Sequence, residues 1–123
     1  MKVRTVLLPA AAVAATFVMA TPASAAPAYE TNYAVRGTPP SSGLSCRPVS
    51  GVLQACFEAY GDKWWLRRDS SAYSGVGIEW ENYRNGSLYR NGECVSYLPV
   101  GTWGVCNKDY YEDSTLSWAP FAV

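Results

Sequence analysis

Glu79 and Glu81 are the residues whose type and spacing come nearest to a catalytic arrangement. On a strand they would share a face, about 7 Å apart at their Cα atoms. Glycoside hydrolysis uses two carboxyl groups about 5.5 Å apart or more, so a small carboxylate-dependent hydrolase is one functional class to weigh. The simpler reading is a solvated strand face, with Glu81 paired to Arg90 across a hairpin. Asp109, Glu112 and Asp113 form a second acidic group beside Tyr110-Tyr111. Calcium takes several oxygen ligands, but this spacing matches no EF-hand loop, and a surface loop that aids solubility is the better reading. Histidine is absent. That removes the usual general base near neutral pH, the commonest metal ligand, and every nucleophile system built on imidazole. No catalytic residue, metal or cofactor is assigned on these grounds.

The four cysteines are Cys46, Cys56, Cys94 and Cys106. An even count in a small exported chain implies disulfides, with three possible pairings. None of the spacings suits zinc. Cys46 and Cys56 are symmetric about Gly51, and Cys94 and Cys106 about Val100, so Cys46–Cys56 with Cys94–Cys106 is the preferred pairing. The second pair would clip a hairpin through Pro99-Val100-Gly101, with Gly101 in the left-handed position. Tyr97 would then face Trp103, and Val95 would face Val105. A bridge over so short a loop contributes up to about 3 kcal/mol.

Export itself is read from residues 1–25. Lys2 and Arg4 precede an apolar run, and Ala23-Ser24-Ala25 forms a small-x-small cleavage site, the layout of a secretory signal peptide. The chain carries ten basic and ten acidic residues. Removing Lys2 and Arg4 leaves eight against ten, a net of about −2 and too little positive charge for nucleic acid or an anionic membrane. No membrane anchor and no nucleic-acid partner are expected, and the domain reads as a monomer free outside the cell.

The elements that must position these residues are strands. Val76 to Tyr83 alternates, with Val76, Ile78 and Trp80 on one side. Leu53 to Tyr60 does the same, with Leu53, Ala55, Phe57 and Ala59 on one side. Gly61-Asp62 predicts a two-residue turn that sets Phe57 opposite Leu66, Ala59 opposite Trp64, Glu58 opposite Trp65 and Cys56 opposite Arg67. Asn85-Gly86 and Asn91-Gly92, within two copies of Tyr-Arg-Asn-Gly, predict two consecutive tight turns joined by a short strand. Asn85-Gly86-Ser87 also fits a glycosylation sequon. Residues 26–45, with Pro39-Pro40-Ser41-Ser42-Gly43, read as a flexible leader, and 46–123 as the β-domain. The expected fold is an all-β antiparallel sandwich or barrel of about six to eight short strands. Its core would hold Phe57, Trp64, Leu66, Val76, Ile78, Trp80, Val95, Tyr97, Trp103 and Val105.

Tyr60-Gly61-Asp62, Arg90-Asn91-Gly92-Glu93-Cys94 and the string from Gly101-Thr102-Trp103-Gly104 to Val105-Cys106-Asn107-Lys108-Asp109 stand out within residues 56–113. On these motifs the segment resembles a group of small secreted actinobacterial proteins that contain disulfides and have no established activity. The resemblance implies a secreted, disulfide-clipped β-domain and no catalytic residue.

Five tryptophans and nine tyrosines remain. If Trp64 is core, its neighbour Trp65 points outward or lies under a second layer. Trp65, Tyr83, Tyr110 and Tyr111 are the candidate ligand-binding residues, since exposed rings stack on sugars or anchor protein interfaces. The leading expectation is a non-enzymatic extracellular module that binds a polysaccharide or a secreted protein. The alternative is a secreted proteinase inhibitor whose rigid loop is Pro99-Val100-Gly101.

Overall fold

Period-two alternation produces strands alone among the described residues. The computed structural model describes residues 26–123, so the expected signal segment lies outside the described residues. The strands are β1 (Tyr29–Tyr33), β2 (Val35–Arg36), β3 (Leu44–Cys46), β4 (Leu53–Glu58), β5 (Lys63–Arg68), β6 (Val76–Arg84), β7 (Ser87–Ser96), β8 (Trp103–Asn107) and β9 (Thr115–Ala122). They form a four-stranded sheet in the order β1-β7-β6-β9 and a five-stranded sheet in the order β2-β8-β5-β4-β3. This is a sandwich and not a closed barrel. Among the described residues no helix is long and apolar enough to cross a membrane.

The inner faces follow the alternation. Leu53, Ala55, Trp64 and Leu66 from one sheet meet Val76, Ile78, Trp80 and Trp118 from the other. Aromatic rings fill much of the space between them. Trp64 meets Trp118 edge-on at 5.1 Å and lies 4.4 Å from Phe57, and Trp80 meets Tyr110 edge-on at 5.1 Å. Such pairs add about 0.5–1.5 kcal/mol beyond the area they bury.

Both disulfides pair as expected, Cys46 with Cys56 and Cys94 with Cys106. The first joins directly opposed residues of β3 and β4. The second does not clip a hairpin. β7 is already flanked by β1 and β6, and β8 by β2 and β5. The chain between them therefore crosses from one sheet to the other, and Cys94–Cys106 ties the two inner faces together. The expected pairs Tyr97–Trp103 and Val95–Val105 do not form. Tyr97 is 55% exposed, and Trp103 and Val105 are only partly buried. Val95 is buried as expected.

Three further expectations are corrected. The β4–β5 loop spans four residues, Ala59 to Asp62, so Phe57 faces Trp64, Cys56 faces Trp65 and Ala55 faces Leu66. Gly61 and Asp62 do take positive φ, but Asp62 is held by the later segment. Its carbonyl accepts from the Lys108 amide at 2.8 Å, and its carboxylate accepts from the Tyr110 amide at 3.2 Å. The shift is two residues, so each side chain keeps its face. Asn85-Gly86 turns as expected, with φ of 52° and 76°, but Asn91-Gly92 does not turn. It lies inside β7, paired on both sides. Gly92 admits the backbone of β1: a Cβ there would lie 2.1 Å from the Glu30 carbonyl oxygen. Residues 26–45, read as a flexible leader, supply β1, β2 and most of β3, which takes the strand count above eight.

β1 lies parallel to β7 at the sheet edge and is fastened by charge. Arg90 donates to both Glu30 carboxylate oxygens at 2.8 Å, and Lys108 donates to Glu30 at 2.7 Å and to Asn32 Oδ1 at 2.6 Å. Hydrogen bonds from Arg90 and Lys108 outweigh burial and hold the Glu30 carboxyl down at about 2. Arg90 therefore serves Glu30, and Glu81 lies opposite Asn91 instead. A bulge between Asn82 and Tyr83 completes the departure from the expected hairpin register.

Candidate functional site

The segment 108–114 leaves β8, crosses the open end of the sandwich and enters β9. Asp62 fixes its start through the two hydrogen bonds just described. Tyr110 and Tyr111 then point opposite ways. Tyr110 drops into the core, 5% exposed, where its hydroxyl accepts from Trp64 Nε1 at 2.8 Å. Burial is the main cause that pushes its phenol well above the ordinary range. Tyr111 turns outward and is 49% exposed. The Arg84 guanidinium lies 3.6 Å from its ring centroid, and Tyr89 stands 5.5 Å away. Asp113 accepts from Arg84 at 3.1 and 3.4 Å, which holds the cation over the ring.

Two concavities meet at this pair. One, about 320 Å³, has Phe57, Tyr110, Leu116 and Trp118 among its walls, with Asp62 and Glu112 also lining it. The other, about 370 Å³, is lined by Tyr89, Arg90, Asp109, Tyr110 and Tyr111. Arg47 lies 4.2 Å over the Trp118 ring and donates to the Trp118 carbonyl oxygen, so its charge is engaged. At this end Tyr89 and Tyr111 expose their rings among charged groups, while Tyr110 and Trp118 are largely buried beneath.

Of the residues expected to bind, Tyr111 lies open at this site. Tyr110 lines both concavities but is largely buried, so its expected exposure is corrected. Trp65 is also corrected, at 5% exposure. It projects from the outer face of its sheet but is covered there: the Gly37 backbone and Val105 lie against its ring, and its Nε1 donates to Glu58 at 2.9 Å. The Gly37 amide donates to the Trp103 carbonyl, carrying the β2–β8 pairing one residue further along the sheet edge. Tyr83 is partly buried on the other sheet and donates to Glu81 at 2.9 Å. Trp65 and Tyr83 therefore share no surface. Tyr89, Arg84 and Trp118 were not singled out from the sequence. A signal for two of them was present, because the repeated Tyr-Arg-Asn-Gly supplies Arg84 from its first copy and Tyr89 from its second.

Glu79 and Glu81 do share an outer face, and β7 adds Glu93 directly opposite Glu79. Like charges so placed are destabilising. Tyr29 moderates them by donating to Glu79 at 3.3 Å and to Glu93 at 3.5 Å. Burial first, then these two carboxylates, pushes its phenol up to about 12. A shallow concavity of about 290 Å³ beside them is lined in part by Tyr29, Asn91, Ser117 and Ala119. Among the described residues no group of three or more His, Cys, Asp or Glu side chains is placed to hold a metal ion. Asp113, from the second acidic group, is taken up by Arg84.

The Pro99-Val100-Gly101 turn lies past the other end of β5. Gly101 has φ of 82°, and Val100 is 46% exposed. The Gly101 amide donates to the Arg68 carbonyl at 2.7 Å, and Arg68 Nη2 donates to the Leu98 carbonyl at 3.1 Å.

No protein-family model matches the chain, no curated protein matches it, and no solved structure matches it.

Proposed function

We propose that this domain is a non-enzymatic extracellular binding module whose ligand is a glycan, taken at the aromatic end of the sandwich. The observation that carries the reading is the exposed Tyr111 ring, held by Arg84 between two concavities with aromatic walls. Sugars offer an apolar ring face to aromatic side chains and hydroxyls to polar rims. A platform fixed by an ion pair and by Asp62 loses little entropy on binding. Two disulfides fit export into oxidising surroundings, and a secreted protein of the small actinobacterial kind is in keeping with that. The test is a screen of the exported chain against cell-wall and plant polysaccharides, followed by tryptophan fluorescence and calorimetry. Binding that Tyr111→Ala weakens by about tenfold or more supports the reading. A panel with no binder, or binding indifferent to Tyr111→Ala, refutes it.

A second reading has one observation in its favour. The Pro99-Val100-Gly101 turn is exposed at Val100 and braced from beneath by Arg68, as a proteinase-inhibiting loop needs. Undiminished activity of a panel of extracellular serine and metallo-proteinases in its presence removes that reading.

A further inference from the structure

β1 is a sheet edge that the fold leaves open. At the end of its parallel ladder with β7, the Ala34 amide donates to the Val95 carbonyl. Alternate residues of a strand share that direction, so Glu30 and Asn32 also turn their backbone groups toward β7. The amides and carbonyls of Tyr29, Thr31 and Tyr33 therefore point away from the sheet. All three residues are exposed, and none of these groups has a hydrogen-bond partner among the described residues.

The other edges are blunted. β2 and β3 are very short. β9 is longer, but the Val123 amide donates to the Gly75 carbonyl, which places Trp118 and Pro120 among the residues with outward backbone. Pro120 has no amide to offer, and the Trp118 carbonyl is taken by Arg47. β1 has no proline, lysine or bulge, the devices that protect natural edges from pairing. Its inward charge, Glu30, is already held by Arg90 and Lys108.

The residues of β1 select the occupant. Tyr29-Glu30-Thr31-Asn32-Tyr33 reads as ring, polar, Thr, polar, ring from either end, and the outward backbone groups are symmetric about Thr31. We propose that β1 pairs antiparallel with β1 of a second copy of this chain, on a two-fold axis through Thr31. Thr31 then faces Thr31 of the second copy, Tyr29 faces Tyr33, and Glu30 faces Asn32. Every outward amide and carbonyl of Tyr29, Thr31 and Tyr33 gains a partner, because opposed residues of an antiparallel ladder exchange both bonds. The tyrosine pairs form on the outer face, where Tyr33 already stands 6.2 Å from Tyr97. Asn32 offers its Nδ2 to Glu30 of the second copy while its Oδ1 accepts from Lys108. Aromatic and Thr–Thr cross-strand pairs stabilise a sheet, and no like charges are set directly opposite. The contact is isologous and closes at two copies, which departs from the monomer expected from the sequence.

The test is sedimentation equilibrium of the exported chain. A strand pair about 17 Å long buries less than the roughly 1,200 Å² of a standard interface, so a dissociation constant on the order of 10–100 μM is expected. Thr31→Pro deletes an outward amide and none of the bonds to β7, and should weaken association by about tenfold or more. Thr31→Lys and Thr31→Glu should each weaken it alone, since each sets like charges opposite on the axis, and their equimolar mixture should restore it. Amide exchange followed by nuclear magnetic resonance should slow with wild-type concentration at Tyr29, Thr31 and Tyr33, and stay unchanged at Glu30 and Asn32. Should Thr31→Pro fail to fold, the charge mixture and the exchange pattern decide. A chain that stays monomeric at millimolar concentration overturns the proposal and leaves β1 to a strand of another protein. Association indifferent to Thr31→Pro, or exchange that ignores concentration while dimers form, places the contact elsewhere and overturns it. A charge mixture no better than its components overturns the pairing about Thr31.

Discussion

Replacing Glu30 by Gln tests the claim that β1 is an integral strand fastened by charge. The carboxylate accepts from Arg90 twice at 2.8 Å and from Lys108 at 2.7 Å. Those contacts lower its pKa from the ordinary 4.5 to about 2. At about 1.36 kcal/mol per unit the shift sets a ceiling of about 3 kcal/mol. The Glu30 side chain is 29% exposed, so solvent screening reduces this to about 1–2 kcal/mol. A depressed carboxyl stabilises the fold above its unfolded value and loses that contribution as pH falls through its folded value. The wild type should therefore shed this component between about pH 5 and pH 2. Glu30→Gln lacks the component and should be weaker than wild type at neutral pH by that amount or more. Loss of the carboxylate also strands Lys108, whose side chain is only 8% exposed. Urea denaturation of both proteins across this pH range measures the gap. It should be widest near neutrality and narrow steadily as acid protonates Glu30. A gap that stays constant with pH would refute the argument, as would a variant as stable as wild type at neutral pH.

Three other outcomes follow from the packing. Gly92→Ala drives a methyl into the Glu30 carbonyl and should cost about 1–3 kcal/mol, with hydrogen-exchange protection lost first in residues 29–33. Under native conditions a mild reductant with alkylation and mass mapping should open Cys46–Cys56 first, since Cys46 is exposed whereas Cys94 and Cys106 are buried; replacing Cys94 and Cys106 by Ser should cost about 3 kcal/mol. Trp65→Ala should lower stability by about 3–5 kcal/mol, while Tyr111→Ala should change it by less than about 1 kcal/mol. Thermal melts that reverse this order would contradict the assignment of Trp65 to the interior and Tyr111 to the surface.

Much of the strand pattern is legible along the chain because alternation is local. Val76, Ile78 and Trp80 face inward in the sequence and in the fold, and so do Leu53, Ala55 and Trp64. The turn at Asn85-Gly86 is legible for the same reason, since two adjacent residues set its φ angles. An identical dipeptide at 91–92 misleads because β1 and β6 pair with it on both sides, and a distant backbone needs the space at Gly92. Cysteine spacing indicated the correct bridges and the role of Cys46–Cys56, but not that of Cys94–Cys106. Two strands joined by a short loop come close enough for a disulfide whether they share a sheet or face each other across the core.

The candidate site was half visible. Tyr110-Tyr111 stood out as a ring pair beside acidic residues, yet which ring is buried depends on Trp64 and Asp62, both far away in sequence. Alternation left Trp65 either outward or covered, and Gly37, which lies against its ring, belongs to the segment that looked like linker.

The order of residues alone determined the all-β class and the two disulfide partners. It also determined the absence of imidazole chemistry, since these depend on composition and on neighbours a few positions apart. Only the tertiary structure decided that β1 belongs to the domain, that one disulfide spans the core, and that Tyr111 rather than Trp65 meets solvent. Those outcomes depend on which distant strands fill each sheet edge and cover each face, and no short window of sequence contains both members of such a pair.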